Sequence, residues 1–231
     1  MKKLLTFIFA AALITASFPI TAQANSLDSK KKPTAIRVTP PAPKFTDAER
    51  QAELGRRRAA VLEKMDDNSV MVLFSAEGKI YTNDVDFMYR QENNLYYLTG
   101  LKQNGATLVL SKSGGATNEV LFLPKRNPQF ETWNGRMYSN EDAMRISGLK
   151  TIVNAAEQPK YLAGLKEGKS FSSESGANFI TTPSKIYLLL PDGERDRDGM
   201  REFRQEHGFS KSFNGDKLAN AQDIFAELRH I

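Results

Sequence analysis

The chain has 231 residues, 40% hydrophobic and 26% charged, with a formal net charge of +5 and no cysteine. This ordinary globular composition excludes a fibrous or wholly disordered chain, and the missing cysteines exclude disulfides and thiolate chemistry. The charge is mild and scattered, and no basic stripe interleaves with aromatic residues, so the sequence does not point to nucleic acid.

Met1-Lys2-Lys3 is a basic start, Leu4 to Ile20 is apolar, and Ala22-Gln23-Ala24 is a small-x-small cleavage site. Residues 1–24 therefore read as a signal peptide, which predicts an exported, periplasmic protein. Ser17 and Pro19 break the apolar run and no basic stop follows, which argues against a membrane anchor. No membrane association is expected after cleavage, and no cysteine is present to carry a lipid. Residues 25–44 hold Lys30-Lys31-Lys32 and four prolines, and read as a flexible linker. Residues 45–231 are predicted to fold as one domain.

Thr46 and Glu49 form a capping-box pattern, and Leu54, Val61, Leu62 and Met65 recur on one helical face. Arg56-Arg57-Arg58 reads as the wet side of that helix. Ser69 to Ser75 is a nearly unbroken apolar run, predicted as a strand covered on both faces. Ala76 to Met88 reads as a polar connection. The polar run Arg90 to Asn94 leads into Leu95 to Thr99, whose β-prone residues predict a short strand ended by Gly100. Ala106 to Ser111 and Glu119 to Leu123 are two more strands, joined through Ser113-Gly114-Gly115 by a turn longer than two residues.

Asn140 to Ser147 is a predicted helix with Asn140 as cap and Gly148 as stop. Thr151 to Val153 reads as a strand, Pro159 to Lys166 as a helix, Ser170 to Ser184 as a loop and Lys185 to Leu190 as a strand. Helices are predicted around Arg197–Glu206 and at Asp216–Arg229. In the last, Leu218, Ala221, Phe225 and Leu228 form a stripe. Interleaved helices and strands with one short hairpin give an α/β class with a mixed β-sheet flanked by helices.

No complete catalytic constellation is visible. His207 and His230 lack partners at metal spacing, and nucleophile elbows and phosphate-binding glycine loops are absent. His207 is read as a helix-end residue beside Gly208. Asp84, Asp86 and Glu92 could hold a cation or simply solvate a loop. Arg90 is expected to pair with one of these carboxylates and pin the loop. Trp133, the single tryptophan, stands before Asn134-Gly135-Arg136 and could be an aromatic platform, although packing in the core is the favoured reading.

The stretch Tyr89 to Gly100 resembles the signature of the N-terminal domain of aminopeptidase P, in the creatinase/prolidase group. Asp84, Tyr89, Arg90, Gln91, Asn93, Tyr97, Leu98, Thr99 and Gly100 match the signature. Phe87, Met88 and Asn94 depart from it, and at the first two positions the signature more often has tyrosine and proline. Arg56–Arg58 is similar to the element that opens that domain. Trp133–Arg136 resembles its W-x-G-x-R segment. Leu228-Arg229-His230-Ile231 resembles the junction to the catalytic domain that follows.

The resemblance implies a non-catalytic domain that shapes a substrate cleft and subunit contacts in an Xaa-Pro aminopeptidase. In such enzymes the tryptophan matching Trp133 and the aspartate matching Asp84 can reach a neighbouring subunit's active site. Asp84, Tyr89, Arg90, Trp133 and Arg136 are thus the expected cleft or contact residues. The resemblance also implies a pita-bread catalytic domain or homologous subunits as partners, a homo-oligomer, and substrates with proline second. It places a dinuclear manganese centre outside this sequence. The chain is expected to be a fragment or truncated product, inactive alone. A stand-alone binding or oligomerisation module is the alternative.

Overall fold

A computed structural model describes residues 44–177, 179–180, 182–189 and 221–224. The predicted signal peptide, residues 25–43 of the linker, the helix around Arg197–Glu206, both histidines and the junction-like terminus lie outside these residues. The first helix, α1 (Asp47–Lys64), opens with the predicted capping box. Thr46 Oγ1 accepts from Glu49 N at 3.2 Å, and Glu49 Oε2 accepts from Thr46 N at 2.8 Å. Next come β1 (Ser69–Phe74), the short pair β2 (Ile80–Thr82) and β3 (Val85–Asp86), and α2 (Asn93–Thr99). The chain continues through β4 (Thr107–Ser113), β5 (Ala116–Leu123), α3 (Pro128–Asn134), α4 (Asn140–Ser147) and β6 (Thr151–Asn154). It ends in α5 (Gln158–Glu167), β7 (Lys185–Leu188) and β8 (Ala221–Asp223).

Six strands form one mixed sheet in the order β6-β5-β4-β1-β7-β8. β4 is antiparallel to β1 and β5, whereas β5–β6, β1–β7 and β7–β8 are parallel. Alternation along β1 explains why it is apolar from Val70 to Phe74. Met71 and Leu73 enter the core shared with Leu62, Leu95 and Leu98 of α1 and α2. Val70, Val72 and Phe74 enter the opposite core, with Tyr161 and Leu165 of α5. The sheet is therefore covered on both faces, as the sequence predicted.

Several expectations are corrected. Leu95–Thr99 is helical, not a strand. Glu92 caps α2, its carboxylate accepting from Asn94 N at 3.0 Å and Leu95 N at 2.7 Å. Gly100 closes the helix at φ 69°. Leu95, Leu98 and Thr99 are buried at helical spacing, so caps and packing override the β preference of the aromatic residues. The β4–β5 turn has only two residues. Gly114 and Gly115, at φ 58° and 75°, join the paired Ser113 and Ala116. Ser139, not Asn140, caps α4, accepting from Asp142 N at 3.1 Å. Arg58 is buried rather than wet, at 2% exposure. The segment predicted as the helix Asp216–Arg229 contains β8, whose Ala221, Gln222 and Asp223 register with Ile186, Tyr187 and Leu188.

Candidate functional site

The connection Ala76 to Met88 folds into a separate hairpin. Asn83 takes φ 46° at its turn, and Asp84 follows, exposed. Ile80, Tyr81, Val85 and Phe87 of this arm are all exposed. Tyr81 and Phe87 meet edge to face with centroids 5.0 Å apart. A two-stranded hairpin is marginal by itself, so the way its base is held matters.

Gln91 holds that base. It is 6% exposed, and its Oε1 lies within 3.0 Å of Ala76 N, Glu92 N and the Tyr89 hydroxyl. Its Nε2 donates to Gln103 O at 3.0 Å. Gln103 Oε1 in turn accepts from Tyr138 N at 3.0 Å. The two glutamines thus link the arm to the segment after α3. Burial pushes the Tyr89 phenol up to about 12, so it is a neutral donor near neutral pH. Arg90, expected to pin this loop through a carboxylate, is exposed and instead donates to Asn93 Oδ1 at 3.4 Å. The anchoring falls to its neighbour because an amide satisfies buried backbone groups without burying charge.

Asn127 caps α3, accepting from Gln129 N at 3.1 Å and Phe130 N at 3.3 Å, with Pro128 at its first position. No residue of α3 is buried. It is tethered through Glu131, whose carboxylate takes a two-bonded clamp from Arg126, both at 2.7 Å, and accepts Met137 N at 3.3 Å. The Arg126 guanidinium holds the Glu131 carboxyl below its usual range. Trp133 is 88% exposed, so the expected core packing is wrong. The helix is attached by its polar side and presents its aromatic side outward. Arg136 donates to Asp142 Oδ2 at 3.0 Å while its side chain stays 70% exposed.

These pieces surround one groove of 670 Å³. Asp84, Tyr89, Trp133 and Arg136 line it together, and Arg90 is not among its lining residues. Sequence reasoning missed Met88, Phe130 and Lys102, which also line it. The signal for the arm was present, since Asn83-Asp84 sits between β-prone residues in a hairpin pattern. The cation option fails a test of fit. Glu92 is used as a helix cap, and among the described residues no group of three or more His, Cys, Asp and Glu side chains could hold a metal ion. The described residues therefore offer no ligand set for a dinuclear metal centre. No described helix is long and apolar enough to cross a membrane.

Residues 54–172 match the family model described as "Aminopeptidase P, N-terminal domain". The chain belongs to this family. Its sequence is 33% identical over 171 residues to an Xaa-Pro aminopeptidase of Haemophilus influenzae, covering 62% of this chain and 40% of that protein. It is 32% identical over 117 residues to the Escherichia coli Xaa-Pro aminopeptidase, covering 50% of this chain and 26% of that one. Among solved structures, proline aminopeptidase P II from Yersinia pestis aligns with TM-score 0.52 and 26% identity, covering 76% of this chain and 37% of that one. Aminopeptidase P from Escherichia coli aligns with TM-score 0.51 and 21% identity, covering 78% and 36%. The chain thus spans less than half the length of the relatives it matches. The aminopeptidase P N-terminal domain fold agrees with the mixed, helix-flanked sheet.

Proposed function

We propose that this chain acts as the N-terminal, non-catalytic domain of an exported Xaa-Pro metalloaminopeptidase. The groove face shapes the substrate cleft and makes contacts with a catalytic domain or a neighbouring subunit. Hydrolysis of the bond before proline belongs to a metal-bearing catalytic domain, since generating a hydroxide nucleophile at neutral pH needs ligands that the described residues do not offer.

The observation that carries this reading is the exposure of Trp133 beside Asp84 and Arg136 on one groove. Burying a side chain of this size is worth on the order of 3 kcal/mol. An aromatic anchor presented outward, ringed by charges, is the form of a contact surface. The Xaa-Pro aminopeptidase relatives extend well beyond the region matched here, which supports a partner domain.

Purified chain incubated with Mn²⁺ and an Xaa-Pro peptide tests the non-catalytic reading. No cleavage is expected. Turnover that disappears in Trp133→Ala or Asp84→Ala would overturn it. The intact mass of the native protein in its own cell tests the other half. A heavier species containing these peptides is expected, and one matching residues 25–231 alone favours a stand-alone module.

A further inference from the structure

We propose that Met88 is a site of oxidation by hydroperoxides, at which sulfoxide formation turns the apolar rim of the groove polar. Met88 is 95% exposed, far more than any other described methionine. Met144 is 39% exposed, and Met65, Met71 and Met137 are 2%, 1% and 8% exposed. Oxygen transfer needs a peroxide to approach a sulfur lone pair, so packing protects the last three. Met88 leaves the hairpin arm beside Phe87 and lines the same groove as Trp133.

The step balances without a metal. The sulfur lone pair attacks one peroxide oxygen, an S–O bond forms and the O–O bond breaks. The departing oxygen takes up the proton that the transferred oxygen gives up, directly or through water, and leaves as water or an alcohol, so that sulfur keeps the bare oxygen of a sulfoxide. Sulfur loses two electrons and the peroxide gains two. The product carries a strong acceptor oxygen in place of a lone pair on an apolar side chain. Because Phe87, Phe130 and Trp133 surround the groove, a polar group there lowers the apolar area the face offers to any covering surface. That this weakens docking rests on the function proposed above. The modification itself does not.

The test is a dose series of hydrogen peroxide on the purified full chain, read by peptide mass spectrometry. Met88 is expected to gain one oxygen about tenfold faster than Met65, Met71 and Met137, and ahead of Met144. A second readout is binding of an apolar fluorescent dye. After limited peroxide it is expected to fall in the native chain and to stay unchanged in Met88→Leu treated identically. Oxidation of Met144 or a buried methionine at an equal rate overturns the proposal. So does an equal loss of dye binding in Met88→Leu. Neither readout needs a catalytic partner, so failure of the docking reading leaves both outcomes decisive.

Discussion

Arg58 Nε donates to Glu119 Oε2 at 2.8 Å from a guanidinium that is almost wholly buried, tying α1 to β5. The same guanidinium donates through Nη1 to Leu98 O at 2.9 Å and Ser147 O at 3.0 Å. Those carbonyls lie in the last turns of α2 and α4, where the helices leave acceptors without internal partners. One cation thus closes two helix ends, where it also suits the negative end of each dipole. Arg58→Ala is expected to destabilise the domain by about 2–4 kcal/mol, because two buried carbonyls lose their donor. Thermal unfolding should show a drop of about 5–10 °C. Glu119→Gln should cost clearly less, since the carbonyl contacts survive and Glu119 is partly exposed. Equal losses in the two variants would contradict this assignment.

Gln91→Ala removes the acceptor for Ala76 N and the donor to Gln103 O. Each unpaired buried group is costly, and the expected loss is about 2 kcal/mol. The loss should be local. Hydrogen exchange at the Ala76 amide is expected to accelerate by about tenfold or more, while β4 and β5 amides keep their protection. Arg90→Ala, on the exposed neighbour, should leave that amide unchanged.

The Glu131 clamp makes the attachment of α3 sensitive to acid. Its folded pKa is lowered, chiefly by the hydrogen-bonded Arg126 guanidinium. The stabilisation is therefore fully present above the ordinary value of 4.5 and is lost as pH falls through the lowered folded value. Native protein should be more stable than Glu131→Gln near neutrality. The difference should shrink below the ordinary value and close in stronger acid. A difference that is the same at all pH values would contradict the role of the charge.

Much of the scaffold was readable because its signals are local. The Thr46–Glu49 box, the apolar β1 run and the Gly148 stop each follow from one or two residue types at fixed spacing. The misreadings arose where local caps and turns, or contacts distant in the chain, overrode single-residue preference. Arg58 looks like its exposed neighbour Arg56 until β5 and two helix ends are brought to it. Tyr96 and Tyr97 favour strands, yet Glu92 and Gly100 at the two ends, with Leu95 and Leu98 pointing inward, impose a helix. The Ala221 stripe was an apolar spacing that a strand pairing with β7 claimed instead. At the site, the resemblance named Asp84, Tyr89, Arg90, Trp133 and Arg136, and all of these but Arg90 meet on the groove. It could not show that Gln91 is the brace, because an amide carries no charge pattern to betray its burial.

Under the proposed function, the Trp133 face is covered when the domain works. Trp133 is the only tryptophan in the sequence, so fluorotryptophan labelling gives one ¹⁹F resonance for this face. The labelled chain should be titrated with the unlabelled part of the Haemophilus influenzae Xaa-Pro aminopeptidase that lies outside the region matched by this chain. The resonance is expected to shift and lose its solvent exposure as the partner is added, with the effect weakened in Asp84→Ala. A resonance that stays unchanged and solvent-exposed at the highest partner concentration would contradict it.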